Sequence, residues 1–417
     1  MASPLRVAIA GLGTVGGGVA NLLSTNAALI ASRTSGRGVE LVAIADQRPH
    51  DDLKQEFGPS LGNSQYFADA VDMARSGCAD VVVETIGGYG IALQVGEEAL
   101  RSGASLVTAN KALLAVHGEN LAVMAEGTGT SIGWEAAVGG GIPCIKVLRE
   151  GLAGNNVRYA AGILNGTCNF ILTTMKETGR DFDDVLAEAQ SLGYAETPPD
   201  LDVDGIDTAH KISLVAAVAT GCKPAFDSVH VEGIRAISGA DVSLADKLGF
   251  SIKLLGIVST ESDGTVKQRV HPALIPVTAA LGATNGVLNG LFSVGDFVGP
   301  VFSQGPGAGR DATASACVAD ILDIARGNHV PTFGMPFGDL DTMVTSGMES
   351  REGRYFVRCA SGEEGGVRNA LQDSSVEVEI SAELDGSVGF ITGSVAENII
   401  MSTIGDRASM IRVEGPW

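Results

Sequence analysis

The sequence is poor in aromatic and basic residues. Phe, Trp and Tyr make up 5% of the 417 residues, and 28 Lys and Arg stand against 49 Asp and Glu, a formal net charge of −21. A protein that binds nucleic acid needs cationic side chains to meet phosphates and aromatic rings on which bases stack. The composition therefore argues against a nucleic-acid partner.

Long apolar runs and paired cysteines are also lacking. No uninterrupted apolar stretch reaches the ~20 residues that a membrane-spanning helix needs, so we expect no membrane partner. The start, MASPLRVAIAG, runs directly into a strand pattern, with no cleavable signal. The six cysteines are scattered, with no C-x-x-C pair, which indicates reduced thiols rather than a disulfide framework or a metal cluster. These features together predict a cytoplasmic location.

Glycine is abundant, at 56 residues, and 45% of the residues are hydrophobic, enough for two or three packed domains. Over residues 1–137, strand patterns alternate with helices, which predicts an α/β domain with a doubly wound parallel sheet of the Rossmann type. A glycine turn and helix at about 305–330 would complete it. Residues 138–345 read as an α+β substrate-binding, catalytic and dimerisation domain. Residues 350–417 follow a β-α-β-β-α-β order, which is ferredoxin-like.

Gly11, Gly13 and Gly16 form a G-x-G-x-x-G pattern between the first strand and the first helix. The first glycine makes the turn, the second lets the backbone approach a pyrophosphate, and the third lets helix and strand pack closely. The helix N-terminus adds unpaired N–H groups that favour an anion. We therefore predict dinucleotide binding.

The second strand ends at Asp46, and an acid in that position usually meets a ribose hydroxyl, which favours NAD. Arg48 follows two residues later and is either an exposed salt-bridging side chain or a partner for the 2′-phosphate of NADP. The sequence therefore leaves NAD and NADP both open. The predicted cofactor-binding residues are Gly11, Gly13, Thr14, Val15, Gly16, Asp46, Arg48, Thr85, Lys111 and Gly309.

The stretch AQSLGYAETPPDLDVDGIDTAHK (189–211) is dense in carboxylates and closes on a lysine. It is either a solvated loop or a site that binds a cationic amino acid. Asp207 and Lys211 are spaced i, i+4, so they share one face of a helix. Lys111 follows another strand, at the edge of the sheet where ligands bind. Two lysines with carboxylates nearby suit proton transfer while a nicotinamide moves hydride.

The sequence resembles the homoserine dehydrogenase family. The resemblance runs over about the first 345 residues, through GLGTVG, TANKALLA, EAAVGGGIP, GILNGTCNFIL, the 189–211 stretch, VEGI, IKLLG and GPGAG. It implies reversible, NAD(P)-dependent reduction of L-aspartate 4-semialdehyde to L-homoserine, on the branch to threonine, isoleucine and methionine. It also implies a homodimer or homotetramer.

The resemblance also implies roles for single residues. Lys211 falls on the family's catalytic lysine and Lys111 on its second lysine. Glu196 falls on the carboxylate that binds the substrate amino group, and Asp202 and Asp207 fall on the supporting acids. A monovalent cation, Na⁺ or K⁺, would bind a glycine turn whose residues are Glu135, Val138, Gly140 and Ile142, unless that turn is purely structural.

Two features depart from the family pattern. Pro198 stands before Pro199, where the family usually has Asp, Asn or Ser, so a polar contact of the loop is lost. Residues 350–417 resemble an ACT regulatory domain that would bind threonine, but SGEEGGV replaces the usual aspartate, and a structural role in oligomerisation is the alternative.

Two other functions remain open from the sequence. Aspartate-semialdehyde dehydrogenase chemistry would need Cys168 as a thiolate nucleophile, and we interpret Cys168 instead as a small buried residue. A non-catalytic amino-acid sensor would be expected to lack Lys111, Glu196 or Lys211, and all three are present.

Overall fold

The computed structural model describes residues 3–384 and 386–415, so the outermost residues of the predicted first and third domains (1, 2, 416 and 417) and residue 385 lie outside the described residues. The chain forms two compact units, each built from three stretches. The first unit comprises Met1–Val157, Ser213–Phe226 and Gly305–Met343, and the second comprises Arg158–Ile212, Asp227–Gln304 and Val344–Trp417.

The strands, in chain order, are β1 Leu5–Ala10, β2 Val39–Ala45, β3 Gln65–Phe67, β4 Val81–Glu84, β5 Ser105–Thr108, β6 Ile132–Gly133, β7 Val157–Ile163, β8 His230–Val231, β9 Phe250–Thr260, β10 Val266–Pro276, β11 Leu288–Gly295, β12 Gly299–Pro306, β13 Glu352–Ala360, β14 Val378–Leu384, β15 Ser387–Thr392, β16 Val395–Ala396 and β17 Ala408–Val413.

The α-helices are α1 Thr14–Thr25, α2 Ala27–Arg33, α3 His50–Leu61, α4 Ala70–Arg75, α5 Gly90–Arg101, α6 Lys111–Thr128, α7 Ala136–Gly139, α8 Gly166–Thr178, α9 Phe182–Ser191, α10 Asp200–Val203, α11 Ile206–Thr220, α12 Gly239–Lys247, α13 Arg310–Arg326, α14 Glu364–Asp373 and α15 Glu397–Ile404. A short π-helical turn spans Val147–Gly151. Among the residues just described, no helix is long and apolar enough to cross a membrane.

The first unit contains a six-stranded sheet in the order β3-β2-β1-β4-β5-β6, and its neighbouring strands pair in parallel. Strands β4 and β5 are buried along their whole length, as expected for parallel strands covered on both faces. This order is the doubly wound Rossmann order. The predicted parallel α/β sheet is therefore confirmed.

Helix α13 packs closely on α1 within the first unit. A Cβ atom added at Gly18 of α1 would lie 2.8 Å from the carbonyl oxygen of Arg310 and 3.0 Å from Cβ of Ala314. Val19 of α1 and Ile321 of α13 belong to one apolar cluster. Because Gly18 has no Cβ atom, a helix from far along the sequence can pack directly on α1.

The second unit contains a mixed sheet in the order β12-β11-β7-β9-β10-β17-β13-β15-β14, with β8 paired to β10 and β16 to β13. Strands β9 and β10 form an antiparallel hairpin whose connection contains Asp263 and Gly264, and Gly264 has a φ of 85°. An Asp-Gly pair at such a turn is a strong hairpin signal. A Cβ at Gly256 of β9 would lie 3.0 Å from the Thr208 side chain, so α11 lies directly on this hairpin.

The described C-terminal residues of the second unit follow the order β13-α14-β14-β15-α15-β17, with the two-residue strand β16 before α15 and a 3-10 turn, Gly405–Arg407, after it. Its four main strands lie in the order β17-β13-β15-β14 around their own apolar core, which includes Tyr355 and Phe390. Strand β17 also pairs in parallel with β10, at Ala273 and Arg412, so one sheet continues from β10 into this stretch. The sequence-based partition into domains 1–137, 138–345 and 350–417 stays a prediction.

Candidate active site

The glycine turn after β1 has the geometry that its three glycines predict. Gly11 adopts a φ of 90°, a conformation that L side chains rarely adopt. A Cβ at Gly16 would lie 1.9 Å from the carbonyl oxygen of Gly11, so helix and strand touch there. A Cβ at Gly13 would meet no protein atom within 4 Å, which leaves open space beside the backbone. The turn therefore fits a pyrophosphate group.

A cleft of about 410 Å³ lies beside this turn, at the carboxyl ends of β1, β2 and β4. Of the predicted cofactor residues, Gly11, Gly13, Asp46 and Thr85 line it. Clefts at this edge of a parallel sheet are where such folds bind ligands. The other lining residues, which sequence reasoning missed, are Ala45, Gln47, Ala68, Asp69, Ala70, Val71, Ile86, Ile91 and Gln94.

Asp46 and Arg48 form one ion pair at the end of β2. Arg48 Nε lies 3.0 Å from Asp46 Oδ1, and the Leu12 amide donates to Asp46 Oδ2 at 2.8 Å. Partial burial would raise the pKa of Asp46, but hydrogen bonds from Arg48 and Leu12 hold the pKa below its usual value. Arg48 also pairs with Glu56 at 2.9 Å. Arg48 thus forms ion pairs with two acids, and its role toward a 2′-phosphate stays a prediction.

A second cleft, of about 390 Å³, is lined by Gly13, Thr14, Arg48, Glu56, Phe57 and Arg310. The guanidinium groups of Arg48 and Arg310 lie 5.9 and 6.0 Å from the centroid of the Phe57 ring. Two arginines beside the start of α1 give this cleft a cationic side. Arg310 carries no obvious sequence signal, because it stands almost 300 residues after Thr14.

Thr85 and the predicted cofactor residues that line neither cleft lie on several elements of the first unit. Thr85 follows β4 and donates from Oγ1 to the carbonyl oxygen of Gly11 at 2.7 Å. Val15 packs on the apolar cluster under α1. Lys111 begins α6, and Gly309, with a φ of 115°, precedes α13. Within the described part of the first unit, neither Lys111 nor Gly309 lines either cleft.

In the second unit, Lys211 is held by two oxygen atoms. Its Nζ lies 2.8 Å from Asp207 Oδ2 and 2.6 Å from the carbonyl oxygen of Leu164. The side chains of Lys211 and Asp207 are only 11% and 10% exposed. The predicted i, i+4 pair is therefore a largely buried pair rather than a solvated surface pair. Leu164, which directly follows β7, contributes through its backbone carbonyl, so its side-chain type gave no sequence signal.

Asn165 joins the predicted acids, and sequence reasoning missed it. Its Nδ2 donates to Asp202 Oδ1 at 2.8 Å and to Asp207 Oδ2 at 2.9 Å, and its Oδ1 accepts from the Cys168 amide as the cap of α8. Burial raises the pKa of Asp202, with a further contribution from the Asp207 charge. The signal was available, since Asn followed by a helix is a common N-cap.

The other predicted residues of the 189–211 stretch lie in the loop between α9 and α10. Glu196 is exposed, and its negative charge contributes to the raised pKa of Asp202. Its carbonyl oxygen accepts from Gln190 Nε2 at 3.2 Å. Pro198 follows a cis peptide bond from Thr197. The structure thus brings Glu196, Asp202, Asp207 and Lys211 into one region of the second unit.

The predicted cation turn lies in the first unit, around α7. Glu135 is 3% exposed, and its carboxylate accepts from the amides of Ile145 and Lys146 at 2.8 and 2.7 Å. Burial raises the pKa of Glu135 to about 7. Gly140, with a φ of 58°, makes the turn between Val138 and Ile142. Across residues 3–384 and 386–415, no group of three or more His, Cys, Asp or Glu side chains suits a metal ion.

Cys168 is buried in α8. It is 0% exposed, and its Sγ lies 3.2 Å from the carbonyl oxygen of Asp202. Burial raises the pKa of its thiol well above the usual value, and the nearby acids raise it further. A buried neutral thiol cannot act as a thiolate nucleophile, which argues against the aspartate-semialdehyde dehydrogenase alternative.

The fold and the site define a dinucleotide-binding protein: the sheet is parallel and in the Rossmann order, the glycine turn is open to a pyrophosphate, and an acid follows the second strand. Two family models match along the chain: the homoserine dehydrogenase NAD binding domain over residues 11–135, and homoserine dehydrogenase over residues 143–322. The chain belongs to the homoserine dehydrogenase family. It is an NAD(P)-dependent oxidoreductase of amino-acid biosynthesis whose substrates are homoserine and aspartate semialdehyde, as the resemblance implied.

The chain is similar over its whole length to known members of this family. It is 42% identical to a homoserine dehydrogenase of Pseudomonas aeruginosa, over 99% of this chain and 97% of that protein. The crystal structure of a homoserine dehydrogenase from Thiobacillus denitrificans superposes with a TM-score of 0.91 at 35% identity, covering 99% and 98% of the two chains. A hyperthermophilic archaeal homoserine dehydrogenase in complex with NADPH superposes with a TM-score of 0.65 at 28% identity, covering 77% and 97%.

Proposed function

We propose that Lys211 moves the proton as this chain interconverts L-homoserine and L-aspartate 4-semialdehyde. The bound nicotinamide supplies the hydride acceptor or donor. In reduction, the Lys211 ammonium gives a proton to the substrate oxygen, directly or through water, and in oxidation the neutral amine removes it. The observation that carries the proposal is the pair of hydrogen bonds from Nζ to Asp207 and Leu164, because they fix the amine in one orientation.

The test is homoserine oxidation at alkaline pH, followed by the absorbance of the reduced nicotinamide. Lys211→Met should lower kcat by about 100-fold or more, the usual contribution of a positioned acid–base group, while NAD(P) affinity stays unchanged. Lys247→Met is the matched control in the same unit, since Lys247 is exposed and donates to the carbonyl oxygen of Glu383. A Lys211→Met variant as active as the control would refute the role of Lys211.

The acids of the same region are proposed to bind the substrate. Glu196 would meet the substrate ammonium group, with Asp202 and Asp207 as supporting acids. The support is the charge interaction between Glu196 and Asp202, because an added cation relieves repulsion between neighbouring carboxylates. Glu196→Gln should raise the KM for homoserine at least about tenfold, and an unchanged KM would remove Glu196 from the site.

The chain is proposed to use both NAD and NADP. Asp46, which lines the larger cleft, suits the ribose hydroxyls, and Arg48 and Arg310, which line the smaller cleft, suit a 2′-phosphate. Arg310→Met should raise the KM for NADP about tenfold and leave the KM for NAD nearly unchanged. Equal losses with both cofactors would mean that Arg310 meets a group common to them.

We also propose a role for residues 350–417, an oligomeric state and a cation site. Residues 350–417 would form an ACT-like regulatory or oligomerisation domain, the third after 1–137 and 138–345, in a cytoplasmic homodimer or homotetramer. The ferredoxin-like strand order supports this proposal. Homoserine oxidation with and without threonine tests the regulatory role, light scattering tests the assembly, and replacing Na⁺ with K⁺ tests the cation site at Glu135, Val138, Gly140 and Ile142.

A further inference from the structure

Glu84, the last residue of β4, is a fully buried carboxylate that no part of the proposed mechanism uses. It is 0% exposed. Its Oε1 accepts from the amides of Ile86 and Gly87 at 2.8 and 3.0 Å, and its Oε2 accepts from Thr108 Oγ1 at 2.6 Å. Glu84 therefore accepts hydrogen bonds from the loop after its own strand and from the last residue of β5.

The register of the sheet creates this arrangement. Glu84 and Thr108 are direct partners in the parallel pairing of β4 and β5, so their side chains end at the same level of the sheet. Thr108 is also 0% exposed. Its hydroxyl can both donate and accept, and it accepts a hydrogen bond from the backbone amide of Asn110 at 3.0 Å. The hydroxyl is thus both a donor to Glu84 and an acceptor from the β5–α6 loop.

Asn110 closes the network. Its Nδ2 donates to the carbonyl oxygen of Gly88 at 2.7 Å, which returns to the loop after β4. Its Oδ1 accepts from the Leu113 amide at 3.1 Å and so caps α6, whose first residue is Lys111. A buried network in which each member is satisfied holds one geometry, and the loss of one member leaves others unpaired.

From this closed network we infer that Glu84 and Thr108 are positioning residues that hold Lys111 in place for the reaction. Lys111 directly follows Asn110, so a shift of the Asn110 backbone moves Lys111 with it. The inference rests on the further proposal, which the family resemblance supports, that Lys111 acts in the reaction as the family's second lysine. Small displacements of such groups are costly, since about 1 Å of misplacement can lower turnover 100-fold.

The test compares two conservative substitutions at Thr108. Thr108→Val preserves the shape and removes the hydroxyl, whereas Thr108→Ser preserves the hydroxyl. Homoserine oxidation by Thr108→Val should show kcat lowered about tenfold or more, with NAD(P) affinity within about threefold, and Thr108→Ser should restore most of kcat. A Thr108→Val variant with wild-type kcat, or a Thr108→Ser variant as slow as Thr108→Val, would overturn the inference.

A second comparison separates positioning from general damage. Glu84→Gln keeps the size but replaces one acceptor oxygen with a donor, so it should lower kcat as Thr108→Val does. In a Lys111→Met background, Thr108→Val should have no further effect on kcat. An equal further loss would show that the network acts elsewhere and would overturn the inference. A Lys111→Met variant with full kcat would instead refute the proposed role of Lys111, which the Thr108 pair alone would not reveal.

Discussion

At the scale of single residues, the second unit contains a buried lysine. Among the described residues, none of its hydrogen bonds goes to a carboxylate. Lys253 is 1% exposed, and its Nζ donates to Asn169 Oδ1, to the carbonyl oxygen of Thr284 and to Asn285 Oδ1, at 3.0, 2.6 and 2.9 Å. Three neutral acceptors match the three donors of an ammonium group. Burial nevertheless lowers the pKa of Lys253 to about 7.

This lowered pKa predicts a pH dependence of stability. Between about pH 7 and 10, the unfolded chain binds the proton that folded Lys253 has lost, so the free energy of unfolding rises with pH, by at most about 1.4 kcal/mol per unit. In the Lys253→Met variant the free energy of unfolding should rise less with pH than in the wild type. In the Lys247→Met variant it should rise as in the wild type. Urea midpoints at several pH values test this, and equal slopes for Lys253→Met and wild type would contradict it.

Arg412 of β17 is a second buried charge, and it is fully paired. It is 4% exposed and binds Glu232 through Nη1 and Nη2, at 2.8 and 2.9 Å, and Glu397 through Nε at 2.8 Å. Burial would raise the pKa of Glu232, but His230 and Arg412 hold it well below its usual value. Glu232 therefore remains charged beside the guanidinium group.

Arg412→Met should destabilise the second unit by about 3–5 kcal/mol, because it leaves Glu232 and Glu397 without their cation. The matched control is Arg368→Met, which removes a partly exposed i, i+4 partner of Glu364 and should cost less than about 1 kcal/mol. Thermal unfolding of both variants measures the difference. Equal losses would mean that the Arg412 pairs contribute no more than a surface pair.

At the scale of elements, the glycine turn combines a steric role and a ligand role. In Gly13→Ala the new methyl group contacts no protein atom, so we expect an unchanged melting temperature. Because the methyl group occupies the open space beside the turn, the KM for NAD(P) should rise about tenfold. Gly16→Ala forces apart β1 and α1 and should lower the melting temperature. A Gly13→Ala variant with normal KM would show that the cofactor does not approach there.

The sequence predicted the features that follow from patterns among residues close together in the chain. The alternation of strands and helices predicted the parallel sheet, and the spacing of Asp207 and Lys211 predicted their pairing, because both depend on neighbours along the chain. Asn165 lies 37 residues before its partner Asp202, and Glu84 meets Thr108 only through strand register. Periodicity carries no information on such contacts, so these residues were not predicted.

At the scale of the whole molecule, the net charge of −21 implies self-repulsion in the folded chain. Salt shortens the range of repulsion from about 10 Å at 0.1 M to a few Å at 1 M. We therefore predict that the melting temperature rises when NaCl is increased over this range. Calorimetry at several NaCl concentrations tests the prediction. A melting temperature that falls with salt would show that favourable ion pairs outweigh the repulsion.

The packing of α13 on α1 has a consequence for synthesis of the chain. The two helices are neighbours in space, yet a ribosome must translate from Thr25 to Arg326 before the second one is complete. Translation proceeds at about 5–20 residues per second, so α13 is completed tens of seconds after α1. During this time the apolar face of α1 is not covered by α13. Helix α1 therefore emerges with one side uncovered, and a chaperone can act on that side before α13 is complete.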